Sequence, residues 1–273
     1  MPEGPAILET LLKHDRQIVV AGLMTVIILA WGYILLGGGT GMSVVAMSST
    51  PLPGALGGVS AAILQPADWT FGYALLMFVM WWVMMVAMML PSAAPMLLLF
   101  AGFNRTRQRQ GSPFVPTSVF ATGYLVAWGG FSAVAVGLQW GLESLGLLSA
   151  MMESTDVLFC AGVLLAAGAY QLTPLKRTCL RHCQNPFRFV THRWRTGTVG
   201  AFRMGLEHGI FCLGCCWFLM TLLFVGGVMN LYWIVGLAVF ILLEKTVPAG
   251  HWFNSLAGVA LILWGGWLLA NVR

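Results

Sequence analysis

The sequence predicts an all-α fold, a polytopic bundle of membrane-spanning helices, and three observations lead there. Hydrophobic residues make up 59% of the 273 residues and charged ones only 8%, where soluble domains carry about 25% charge. The apolar residues gather in long runs, several near the ~20 residues that cross a hydrocarbon core as a helix. The basic residues lie between or beside those runs, as the loops of a membrane protein require. One transmembrane domain over residues 1–273 is expected, with about seven spans.

The first span covers residues 18–36. Residues 1–16 ahead of it are polar and lack the short apolar core and small-residue cleavage site of a secretory signal, so targeting is expected through the first span itself. Residues 37–68 are rich in Gly, Ser and Pro without any Lys or Arg and read as an external loop. The second span, 69–100, is methionine-rich, and Pro91 and Pro95 are expected to kink or end it. A basic turn at 104–112 carries Arg105, Arg107 and Arg109. The third span covers 116–140, and the fourth, 157–172, leads into a basic cytoplasmic loop at 174–199. Spans five, six and seven cover 203–229, 231–244 and 252–270. Span six is short, so a six-span or re-entrant arrangement is the alternative.

Orientation follows from the positive-inside rule. With a cytoplasmic amino terminus, all of the 14 Lys and Arg except Arg273 fall on the inner side. The basic residues therefore flank spans, and nucleic acid is not an expected partner. A nucleotide is not expected either, because no phosphate-binding G-x-x-x-x-G-K-[ST] loop occurs. The lipid bilayer is the partner that composition implies.

Ligating side chains inside span five break the apolar pattern. His208, Cys212, Cys215 and Cys216 share a stripe about 100° wide on a helix, and Gly205 and Gly209 on the same side permit close helix approach. Polar or ligating groups are costly in a bilayer and mark functional positions. A second group, Cys179, His182 and Cys183, follows span four among arginines and is expected at the cytoplasmic mouth. Methionines of span two, Met84 and Met88 among them, share one face and would add thioethers. Thiolates and thioethers select Cu(I), with Zn the other candidate metal. Glu207, Glu244 and Lys245 are candidates for a charge pair or proton path, Glu207 with Lys245 or Arg203, and Pro248 and His251 close the tight turn beyond them. Single cysteines and methionines in membrane helices are usually packing residues; it is their grouping that points to a metal.

Trp81 with Met88-Met89-Leu90-Pro91-Ser92, then Ala169-Tyr170-Gln171, Pro174-Leu175-Lys176 and Cys179 form one set of landmarks. Cys183, Gly205, His208, Cys212, Gly214-Cys215-Cys216-Trp217, Met220, Gly227 to Met229 and Glu244-Lys245 with Pro248 form another. Together they resemble a bacterial domain-of-unknown-function family (twenty-one eighty-two) of predicted metal-binding integral membrane proteins. The resemblance implies a polytopic protein of the inner membrane that binds a metal.

The function expected is soft-metal binding for transport, delivery or storage through an intramembrane Cys/His/Met site, with a metallochaperone or membrane-complex partner. Catalysis is not among these expectations. A membrane thiol or quinone oxidoreductase, cycling Cys215-Cys216 or Cys179 and Cys183, is the alternative, and a non-catalytic subunit of a larger membrane complex is another.

Overall fold

The computed structural model describes residues 4–40, 48, 68–111, 113–149, 152–154, 156–247 and 250–271. Most of the expected 37–68 loop and Pro248 lie outside them, as does the side chain of His251. The described chain is helical: α1 (Gly4–Leu35), α2 (Phe71–Arg109), α3 (Thr117–Ser144), α4 (Val157–Gln171) and α5 (Pro174–Gln184) come first. They are followed by α6 (Pro186–Arg193), α7 (Gly197–Thr221), α8 (Leu223–Gly226), α9 (Leu231–Thr246) and α10 (Gly250–Ala270).

Five of these helices are long and apolar enough to cross a membrane, and α4 with α5 makes a sixth if that pair, bent by 64°, counts as one broken span. The 16 residues of α9 reach about 24 Å at 1.5 Å per residue, short of the ~30 Å hydrocarbon core. The all-α bundle stands, and the short helix is the expected sixth span, 231–244.

Two expectations need correction. Pro91 and Pro95 do not end the second span, for α2 continues through both to Arg109, and the expected basic turn at 104–112 is mostly its last helical turns. Proline is tolerated in membrane helices because neighbouring groups and local adjustments occupy the freed backbone positions. The expected loop at 174–199 is largely two short helices. Thr173 caps α5, accepting from Lys176 N at 3.3 Å, and Pro174 and Pro186 open α5 and α6, where a missing N–H costs nothing.

The tightest packing joins α3 to α7. A methyl group on Gly205 would overlap the Phe120 carbonyl, one on Gly123 would overlap that of Phe202, and one on Gly209 would come within 2.5 Å of Ala127 Cβ. The small residues thus let two backbones touch, the spacing expected of Gly205 and Gly209. With α3 on that side, α7 turns its sulfur-bearing face into the bundle, where α2, α5 and α9 complete the surround. Helices α1 and α10 lie at the periphery with many apolar side chains exposed.

The glycine contact has a measurable consequence. Gly205→Ala is expected to lower the stability of the detergent-solubilised protein by about 1–3 kcal/mol, the usual cost of overpacking. Gly130→Ala, where nothing lies within 4 Å, should leave the thermal midpoint unchanged.

Candidate metal centre

Cys212 is the hub of a buried group assembled from several helices. Its sulfur lies 3.0 Å from Lys245 Nζ of α9 and 3.2 Å from the Tyr124 hydroxyl of α3. The Cys215 and Cys216 thiols donate to the Cys212 carbonyl at 3.0 and 2.9 Å, one helical turn below, as i+3 and i+4 spacing dictates. Cys183 of α5 lies near enough to the α7 thiols of Cys212 and Cys215 to interact with them electrostatically. On the α2 side, Cys216 Sγ stands 4.0 Å from Met89 Sδ. All six cysteines are free thiols, and Cys212, Cys215 and Cys216 are fully enclosed.

The surroundings are polar where they must be. Lys245 also donates to Ser92 Oγ at 3.0 Å, and Tyr124 donates to Met89 O at 3.3 Å. The residues Ser92, Tyr124 and Lys245 therefore bind the group to α2, α3 and α9. Next to it, Lys176 and Glu244 form an ion pair at 2.5 Å, both completely buried. Lys176 also donates to Gln171 Oε1. A buried charge persists only with a partner, so the adjacent Glu244 and Lys245 each reach a different helix.

The two expected cysteine sites merge at one residue. Cys183 joins the α7 thiols, whereas Cys179 packs against α7 at Gly214. His182 turns the other way, stacked on Phe211 with ring centroids 4.0 Å apart. His208 lies one turn from Cys212 in an aromatic box, its ring centroid 5.7 Å from that of Tyr124 and 5.6 Å from that of Phe189. Among the described residues, His208 Nδ1 has no hydrogen-bond partner. A methionine that stands beside the thiols is Met89, while the expected Met84 and Met88 are buried on the same helix. Glu207 pairs with Arg195 at 2.6 Å and Arg193 at 3.3 Å, not with Lys245 or Arg203. These pairs are partly exposed and contribute little to stability. Glu244 takes Lys176 as its partner, a lysine that reads as one more charge in a basic loop until the fold buries it.

The donor set is soft: four thiols with one thioether close by, the combination that suits Cu(I). Among the described residues, no three His, Cys, Asp or Glu side chains stand around one point as ligands of an ion would. The α7 thiols instead bond to the Cys212 carbonyl, to Met89, to Tyr124 and to Lys245.

Among known families, residues 78–268 fit the model of one described as PpoB2, a copper chaperone. No curated protein and no solved structure matches the chain. The matched stretch contains every residue of the thiol group and its polar surround.

The ion pair beside the thiols can be tested by itself. Lys176→Met is expected to destabilise the solubilised protein by about 3–5 kcal/mol, because it strands the Glu244 carboxylate in an apolar interior. Adding Glu244→Leu should recover most of that loss in thermal unfolding, which a purely steric effect of Met would not allow.

Proposed function

The chain belongs to the PpoB2 copper-chaperone family, and from that premise we propose that it carries Cu(I) on the buried thiols of Cys183, Cys212, Cys215 and Cys216 and passes it to an acceptor. The enclosure of Cys212, Cys215 and Cys216 on one face of α7 beside Met89, with Cys183 of α5 nearby, is the observation that carries the reading. Met89 supports copper over zinc, since a thioether is a ligand for the softer ion. Cu(I) is content with a small number of sulfur ligands, so a pair drawn from this group suffices to hold it and a third sulfur allows it to move on.

Lys245 supplies the electrostatics of exchange. Before loading, its ammonium donates to Cys212 and so provides a thiolate at that position with a counter-charge. When a monovalent cation arrives, it takes over that role, and Lys245 retains Ser92 as a hydrogen-bond partner. Tyr124 holds the same sulfur from the opposite side and keeps it from rotating away. Cys179, beside Gly214 on α5, offers a thiol nearer the surface where an incoming ion is first captured. His208 lies too enclosed by Phe120, Tyr124 and Phe189 to meet a partner protein and serves the buried end of the same path. In this reading the protein sits in the inner membrane with the arginine-rich end in the cytoplasm, and a metallochaperone or an acceptor in a membrane complex exchanges copper with it.

Anaerobic Cu(I) titration of the purified protein is expected to raise the ultraviolet Cu(I)–thiolate absorption band. The combined change Cys183→Ser, Cys212→Ser and Cys216→Ser should abolish the band. Cys160→Ser should leave it intact, because Cys160 lies on α4 near Ser154, apart from the group. Absence of the band from the wild-type protein would sink the proposal.

A further inference from the structure

The methionines of α2 that lie furthest from the thiols have a function of their own. Met77 and Met80 share one face of the helix at i and i+3, and both are fully buried, so their sulfurs face protein and not lipid. Met229, just ahead of α9, packs against the same place. At Gly38, which has φ +60°, the position of a Cβ would lie 3.1 Å from Met80 Cγ and 3.6 Å from Met229 Sδ. The lack of a side chain there leaves the two methionines room to approach one another.

A charge accompanies the thioethers. The Gln139 amide donates to Met77 Sδ at 3.6 Å and to Glu143 Oε1 at 2.9 Å, so one nitrogen touches both the sulfur and the carboxylate. Trp81 Nε1 orients that amide by donating to Gln139 Oε1 at 2.8 Å. Glu143 is only 4% exposed, and its other oxygen accepts from Trp69 Nε1 at 2.7 Å. Among the described residues no Lys, Arg or His forms an ion pair with it. A buried carboxylate served by neutral donors alone is under-compensated. Thioether ligands are neutral and would leave the full charge of a bound cation to be balanced by something else nearby.

From this convergence we propose a second Cu(I) site, formed by Met77, Met80 and Met229 with Glu143 as its buried counter-charge, at the end of α2 opposite its arginines. The two halves fit one ion. The sulfurs select a soft metal, and one carboxylate balances a monovalent charge but not a divalent one. About nine residues separate Met80 from Met89, roughly 14 Å along the helix, so the site is distinct from the thiol group and lies across the bundle from it. This inference rests on copper being the cargo, and it makes the second site the place where the ion stands before leaving on the far side.

Counting copper in the full-length protein tests it. The wild type, loaded anaerobically with Cu(I) against a competing chelator, is expected to hold about two ions per chain. Met80→Leu with Met229→Leu, which nearly conserves volume, should reduce that to about one and leave the thiolate band unchanged. The triple serine variant at Cys183, Cys212 and Cys216 should also hold about one, without the band. Introducing Glu143→Gln into that variant should weaken the remaining ion at least tenfold, and it provides a second test should the leucine variant fold poorly. If the leucine variant still holds two ions, or the serine variant holds none, the second site is wrong while the thiol reading survives. If the serine variant binds as much as the wild type, the thiol reading fails and the thioether site does not.

Discussion

A charge buried in this bundle must find its partner on another helix, and that requirement assembles the centre. Helix α9 ends in Glu244-Lys245, two adjacent residues of opposite sign that are both buried. Neighbours on a helix point about 100° apart, so they cannot serve the same partner. Glu244 takes Lys176 of α5, and Lys245 takes Cys212 of α7 and Ser92 of α2. Two consecutive side chains thereby hold three other helices around the thiols. Leaving either charge alone in an apolar interior costs about 3–5 kcal/mol, which disfavours arrangements that separate these partners.

Close packing supplies the rest of the geometry. The glycine contacts between α3 and α7 fix the rotation of α7, and rotation decides which residues meet. With Gly205 and Gly209 against α3, the stripe one turn further along faces α2 and α5. There Tyr124 and Met89 approach it from one side and Cys183 from the other. The bend between α4 and α5 has a similar effect: it lays an amphipathic helix across α7, its cysteines inward and Arg177 and Arg181 outward.

A division of ligand type along α2 suits the handling of a soft cation. Thiols, which bear charge when deprotonated, lie toward the arginine-rich end, beside a lysine that can balance a thiolate. Thioethers, always neutral, lie toward the other end, beside a carboxylate paired only with neutral donors. The two ends thus differ in charge as well as in sulfur chemistry. Between them Met84, Met85 and Met88 of the same helix are buried, polarizable side chains that fill irregular gaps in the packing.

Much of this protein was legible from the chain alone. Composition and apolar run length point to a membrane-type helical bundle, because those depend on transfer of side chains between water and hydrocarbon, which is local and additive. Helical period likewise put His208, Cys212, Cys215 and Cys216 on one face, since 3.6 residues per turn holds wherever a helix forms. The partners from other helices were beyond such reasoning. That Cys183 comes near Cys212, that Met89 stands by Cys216, and that Lys176 is the counter-ion of Glu244 all depend on the relative rotation and depth of packed helices. Single-residue differences at the contacts decide those, as when Gly205 admits Phe120 or Pro174 starts α5 at once after α4. Only the tertiary structure could turn two cysteine motifs 33 residues apart at Cys179 and Cys212 into neighbours, because burial and charge pairing are properties of the whole assembly and not of any one segment.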